Sequence, residues 1–327
     1  MRVAIVRLGA MGDIIHTVFA LQHLKAAHPQ MRIDWVCESV WAPLLQSCDA
    51  IDTVHPIALK TLKKNFSFGS LLALIKQLRS WGPYDVVIDA QGLLKSAIVA
   101  RFLGGNRWGF SRKSLREPLA ALFYTHHVSI DYAQNVLLRN ATLLSTALQT
   151  PITPHAIAQK TPLFYTSLKP YLFDAIICVV GTSQPYKNYP VNAWIEAIEA
   201  LQEKVLLVWG TSQEERDAQT IADATPLANV APKLTLEELV ALVSHARLVI
   251  GGDTGPTYLA WALNRPSITL FGATSARRSM WTTSMNVALE SSSAVDDART
   301  DKRDFSIATI EALDIAHTAR RLLETQN

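Results

Sequence analysis

Short apolar runs recur along this chain, each followed by a polar, often glycine-bearing turn and then by apolar positions three and four residues apart. Val3-Ala4-Ile5-Val6 opens the series. After it, Gly9 and Gly12 permit a tight turn, and Ile14, Val18, Leu21 and Leu24 mark the buried face of a helix. Further strand-like runs lie at 32–36 and 85–89, and a second set at 176–180, 205–209, 247–250 and 267–271. Strands that alternate with helical periods predict parallel sheets.

The two sets are separated by a weakly periodic stretch holding Pro151, Pro154, Pro162 and Pro170, which reads as a linker. With 327 residues to divide, two domains of about 150 each are expected. The predicted organisation is a domain over 1–150, a linker over 151–170, a second domain over 171–305 and a terminal helical segment over 306–327. A polar loop over 291–304 precedes that segment. The pattern leaves open whether the last helix packs back on the first domain.

Composition narrows the class. Hydrophobic residues make up 49% and charged residues 18%, enough for two ordinary cores. No apolar run approaches the roughly 18 residues of a spanning helix, and Arg7 and Asp13 interrupt any signal-peptide pattern, so a cytoplasmic protein is expected. Cys37, Cys48 and Cys178 lack metal-ligand spacing and read as buried thiols. The net charge of +3 conceals an asymmetry: residues 53–116 hold eleven Lys or Arg against Asp85 and Asp89, a local +9 that leaves −6 elsewhere. Such a face is either simply solvated or shaped for a polyanion or anionic membrane. No nucleic-acid module accompanies it, which argues against nucleic acid.

Four turns carry candidate chemistry. Asp13 follows the first strand, and in open α/β sheets ligands gather at the carboxyl ends of strands. The plain alternative is that it caps the helix. Asp253, in Gly251-Gly252-Asp253-Thr254-Gly255-Pro256, can N-cap a helix whose first turn suits Pro256, while the glycines allow another group to approach closely. Anions favour such helix ends, but a carboxylate there is better matched to sugar hydroxyls than to phosphate. Thr182, Ser183 and Lys187 follow a third strand with hydroxyls and a cation suited to phosphate oxygens. After a fourth, Glu214 and Glu215 could meet ribose or merely complement a helix dipole.

Together these segments resemble the ADP-heptose lipopolysaccharide heptosyltransferases of glycosyltransferase family 9. The resemblance covers most of the chain. It rests on Met11-Gly12-Asp13-Ile14-Ile15-His16-Thr17, Asp34-Trp35-Val36, Asp89-Ala90-Gln91-Gly92-Leu93-Leu94-Lys95-Ser96, Arg116-Glu117-Pro118-Leu119-Ala120 and Asp253-Thr254-Gly255. The segment from Asp89 to Ser96 is most similar to the heptosyltransferase I group, which adds the first heptose.

The resemblance implies an α/β enzyme of the GT-B type, with two Rossmann-like parallel-sheet domains facing across a cleft, the acceptor on the first and the nucleotide sugar on the second. It further implies an inverting transfer of heptose from ADP-heptose to a Kdo hydroxyl of Kdo-lipid A, without a metal or other cofactor. That fits a sequence lacking an Asp-x-Asp motif. By the same resemblance Asp13 is the general base and Lys187 serves the leaving diphosphate. Donor contacts are expected from Thr182, Ser183, Glu214 or Glu215, Asp253, Thr254, Gly255 and Tyr258. Tyr258 stands where the family generally has histidine; its phenol can donate to the donor or pack against the next helix. Acceptor contacts are expected from Lys60, Lys63, Lys64, Arg112 and Arg116, and peripheral attachment to the cytoplasmic face of the inner membrane follows. His16 either points into the cleft or is structural.

Other classes remain in view. A heptosyltransferase II-like or other nucleotide-sugar transferase would share these motifs. An NAD-dependent oxidoreductase would explain the first strand-turn-helix and place Asp34 on a ribose, although the turn lacks Gly-x-Gly-x-x-Gly. A non-catalytic nucleotide-binding protein would not need Asp13, Lys187 and Asp253 together.

Overall fold

A computed structural model describes residues 1–65, 67–297 and 299–325. The chain forms two compact units that divide between Leu163 and Phe164. No helix among the described residues is long and apolar enough to cross a membrane.

The first unit is a six-stranded parallel sheet of β1 (Arg2–Val6), β2 (Arg32–Glu38), β3 (Thr53–Ile57), β4 (Val86–Asp89), β5 (Asn106–Phe110) and β6 (His126–Val128) in the order β3-β2-β1-β4-β5-β6. Its helices are α1 (Met11–Ala27), α2 (Ala42–Gln46), α3 (Leu59–Lys64), α4 (Phe68–Trp81), α5 (Leu94–Leu103), α6 (Val136–Leu148) and α7 (Pro154–Ala158). Ile14, Ile15, Val18, Phe19, Leu21 and Leu24 of α1 are fully buried, so the predicted apolar spacing understates a helix enclosed nearly all round. Asn140 on α6 fixes α1 from behind, its Nδ2 donating to the His16 carbonyl at 2.6 Å. His16 itself is buried.

The predicted linker is only partly that. Thr153 caps α7, Ile157 and Leu163 are buried, and Gln22 of α1 donates to the carbonyls of Thr161 and Pro162 at 3.1 Å each. Residues up to 163 thus dock on the first unit because two apolar side chains find burial beside α1, which the proline content does not signal.

The second unit repeats the plan. Its strands are β7 (Ile176–Val179), β8 (Val205–Val208), β9 (Ala228–Val230), β10 (Leu248–Gly252), β11 (Ser267–Phe271) and β12 (Asn286–Glu290), ordered β12-β11-β10-β7-β8-β9. Read from β9, this is the strand order of the first unit. The helices are α8 (Val191–Leu201), α9 (Ser212–Ala224), α10 (Leu236–Ser244), α11 (Gly255–Ala262), α12 (Ala276–Ser279) and α13 (Ala312–Glu324).

The terminal segment is a 3-10 turn over Ser306–Thr309 followed by α13, rather than one helix from 306. Ile310 is extended between them and its carbonyl accepts from the Tyr189 hydroxyl at 2.8 Å. Ile315, Ala316, Ala319, Leu322 and Leu323 of α13 share one core cluster with Trp194, Ile198 and Leu201 of α8. The last helix therefore completes the second unit's own core. Residues 326 and 327 of the predicted segment lie outside the described residues, as does residue 298 of the polar loop.

Candidate active site

Each sheet has one topological switch point, where chain order reverses between neighbouring strands: β1 and β4 in the first unit, β7 and β10 in the second. Crevices outside the carboxyl ends of such strand pairs are the natural binding sites of open α/β sheets. Asp13 follows β1, Lys187 follows β7 and Asp253 follows β10. The residues picked out by sequence therefore stand at both switch points.

In the first unit Asp13 occupies the third position of α1, after Ala10 at the cap. One carboxylate oxygen accepts from the Ala10 N–H at 3.2 Å, and the other meets Arg7 Nη2 at 2.8 Å. The side chain remains 46% exposed, whereas that of Arg7 is 7% exposed. A buried guanidinium, anchored also on the Ala90 carbonyl, thus aims an accessible carboxylate. One oxygen thus serves the helix start, as the capping reading expects, and the other is held by Arg7.

Gln91 holds the turn from the neighbouring strand. Its Oε1 accepts from the Leu8 N–H at 2.9 Å and its Nε2 donates to the Gly9 carbonyl at 3.0 Å. Asp89 holds Gln91 in turn, accepting from the N–H groups of Gln91 and Gly92, from Ser96 Oγ at 2.8 Å and from the Tyr124 hydroxyl at 2.6 Å. Burial pushes the Asp89 carboxyl up despite these four donors. Sequence reasoning quoted Asp89 and Gln91 without assigning them this task, and it missed Arg7, a lone polar residue just beyond a strand.

In the second unit Lys187 Nζ lies 2.5 Å from Asp253 Oδ2. Thr274 Oγ1 donates to the same oxygen at 2.8 Å, and the Tyr258 hydroxyl donates to Oδ1. Burial alone would raise the Asp253 carboxyl, but Lys187, Tyr258 and Thr274 together hold it below the usual carboxylate range. The expected helix cap is absent: Thr254 is the cap residue of α11, without a side-chain cap bond, and Gly255 begins the helix. Asp253 turns instead toward its three donors. Tyr258 is buried, and its hydroxyl is turned to Asp253. Thr274, just past β11, was missed because nothing in its local sequence marks it.

The glycines serve close approach as expected. A side chain at Gly252 would meet the Lys187 carbonyl at 2.7 Å, and one at Gly251 would meet Thr257 Oγ1 at 2.5 Å. The Thr182 N–H donates to Asn188 Oδ1 at 2.8 Å, and its hydroxyl lies 2.8 Å from both that oxygen and the Gln184 carbonyl. The hydroxyl builds the loop that presents Lys187. Ser183 is exposed. Glu214 accepts from the N–H groups of Gly210 at 2.6 Å and Thr211 at 3.1 Å, and its side chain crosses the open face of Gly181 beyond β7, whereas Glu215 is exposed.

Asp34 sits in the first half of β2, fully buried, accepting from Arg2 at 2.6 Å, Tyr84 at 2.9 Å and His55 at 3.2 Å. A ribose-binding acid belongs at the carboxyl end of that strand. The dinucleotide alternative loses its main residue.

Residues 71–303 match the profile of glycosyltransferase family 9 (heptosyltransferase). The chain belongs to that family. It is 34% identical to lipopolysaccharide heptosyltransferase 1 of Campylobacter coli, with 98% of this chain and 99% of the relative covered. Among solved structures, E. coli heptosyltransferase WaaC with ADP superposes with a TM-score of 0.83 at 29% identity, covering 98% of this chain and all of the other. The same enzyme with ADP-2-deoxy-2-fluoro heptose gives 0.79 at 28% identity over the whole of both chains. Two parallel sheets of GT-B type in a family 9 heptosyltransferase account for the fold expected from sequence.

Lys60, Lys63 and Lys64 are exposed on α3, and Arg112 and Arg116 are exposed on the segment between β5 and the 3-10 turn Pro118–Phe123.

Proposed function

We propose that this heptosyltransferase transfers L-glycero-D-manno-heptose from ADP-heptose to a Kdo hydroxyl of Kdo-lipid A, the first heptose addition of the lipopolysaccharide inner core, with inversion at the anomeric carbon. The observation that carries this reading is the aimed and accessible Asp13 carboxylate at the first sheet's switch point, together with Lys187 and Asp253 at the second's. The similar E. coli enzyme was solved with ADP and with an ADP-heptose analogue, which supports the choice of donor.

Asp13 removes the proton of the attacking hydroxyl; a base so placed commonly contributes about 10² to 10⁴ in rate. As the glycosidic bond to the diphosphate breaks, negative charge grows on the leaving oxygen. Lys187 meets it: an ammonium has three N–H groups, and Asp253 takes one while fixing the direction of the others. Ser183 and the backbone at Thr254 and Gly255 complete the donor side, and Glu214 takes the ribose. Lys60, Lys63, Lys64, Arg112 and Arg116 meet the carboxylates and phosphates of the acceptor. The enzyme works at the cytoplasmic face of the inner membrane, where a donor made in the cytoplasm and a lipid acceptor are both within reach.

Incubating the protein with ADP-heptose and either Kdo-lipid A or the same lipid already carrying heptose tests the assignment. Mass spectrometry should show one added heptose on the first acceptor only. Incorporation into the second acceptor alone would move the enzyme to a later step in core assembly.

A further inference from the structure

Of the basic residues between 53 and 116, Lys60, Lys63 and Lys64 lie on α3, Lys76 and Arg79 on α4, and Lys95 and Arg101 on α5. Helices α3, α4 and α5 pack over the same face of the sheet: Leu59, Leu74, Leu78 and Val99 join Ala4 and Val6 in one core cluster. α5 also packs against the 3-10 turn Pro118–Phe123, and the Leu94 N–H donates to Glu117 Oε2 at 2.7 Å at the head of that contact. Helices α3, α4 and α5 carry seven of the eleven Lys and Arg between 53 and 116.

The same layer leaves large apolar side chains in solvent. Phe68 on α4 is 70% exposed, and Leu119 and Leu122 on the 3-10 turn are 58% and 78% exposed. Leu94 and Ile98, one helical turn apart on α5, are exposed as well. Of the fourteen residues of α4, only Leu78 is buried, although the helix is rich in leucine. An apolar patch rimmed by cations, with little acid, matches the headgroup and acyl boundary of an anionic bilayer.

We propose that α4, α5 and the 3-10 turn Pro118–Phe123 form the face by which the enzyme docks on an anionic bilayer, with Phe68, Ile98, Leu119 and Leu122 entering the acyl boundary and the cations of this layer binding lipid phosphates. The inference rests on the reading that the acceptor is a lipid. It adds which side chains enter the membrane. The N-terminus of α5 follows the Asp89–Gly92 turn that clamps the Asp13 loop, so this face and Asp13 share the carboxyl end of the sheet.

The test uses the full chain and vesicles of phosphatidylcholine with and without 30% phosphatidylglycerol. Wild type should sediment with the anionic vesicles and be released by salt, and Ile98→Gln/Leu122→Gln should bind at least about tenfold more weakly. A Leu122→Trp variant should shift its emission to the blue on anionic vesicles and be quenched by brominated acyl chains. Turnover of a water-soluble Kdo acceptor by Ile98→Gln/Leu122→Gln should equal wild type, which separates this proposal from the enzymatic reading. Undiminished binding of the double variant, or no blue shift on vesicles that bind the protein, would overturn the proposal. So would a blue shift that follows protein concentration without lipid, since it would assign the patch to a second copy of the chain.

Discussion

Lys187 and Asp253, 66 residues apart in the chain, meet at 2.5 Å across the switch point of the second sheet. The pair is largely enclosed, with side chains 18% and 9% exposed. Asp253 also accepts from Tyr258 and Thr274, so Lys187 is held against a carboxylate that cannot turn away. The enclosure makes the cation a structural tie between the turns that follow β7 and β10.

Removing both members should therefore cost less than the two single losses added together. Lys187→Met or Asp253→Asn alone should each lower stability by about 2 kcal/mol, less than for a wholly buried pair because Lys187 keeps some solvent. The double variant should fall short of the sum, with a coupling of about 1 kcal/mol or more. Urea unfolding of the four proteins checks this, and additive losses would show the pair to be energetically idle.

Acid should weaken the wild type in a way that Asp253→Asn avoids. A carboxyl held below its unfolded value contributes stability that is present above about pH 3.9 and is lost as pH falls through the folded value. Asp34, lowered against burial by Tyr84, Arg2 and His55, acts in the same sense. Unfolding midpoints measured from pH 6 to pH 3 should drop less steeply below about pH 4 in Asp253→Asn, and again in Asp34→Asn.

Glu214 and Glu215 should separate cleanly. Glu214→Gln should weaken ADP binding by about tenfold, and its loss from the head of α9 should cost about 1 kcal/mol of stability. Glu215→Gln should change neither. Calorimetric titration with ADP decides it, and an effect confined to Glu215 would reverse the assignment.

On the acceptor side, Lys60, Lys63 and Lys64 changed together to Ala should raise acceptor KM several-fold while donor KM holds. All three are exposed, so the fold should tolerate the change. Steady-state kinetics with both substrates varied is the measurement, and equal changes in the two KM values would reject the role.

How much of this was legible in the sequence follows from which forces act locally. Strands β1, β7, β8, β10 and β11 are largely apolar runs buried on both faces, and they announce themselves. Half-exposed β3 and β5 carry Pro56, His55 and Arg107, and β6, β9 and β12 are likewise half-exposed or polar; their pairing comes from neighbours rather than from pattern. Pro56 is tolerated because β3 is an edge strand, where one side of the backbone needs no partner. Asp13 and Asp253 were readable because glycine-bearing turns accompany them. Arg7 and Thr274 act through contacts that no local motif encodes, and the Lys187–Asp253 pair exists only once β7 and β10 lie side by side.

Whether Asp13 is the base is read from single-turnover transfer from ADP-heptose to Kdo-lipid A by Asp13→Asn. The rate should fall by about 10² to 10⁴ while ADP affinity, measured by calorimetry on the same protein, stays at the wild-type value. Transfer at an undiminished rate, with ADP bound normally, would mean that another group takes the proton.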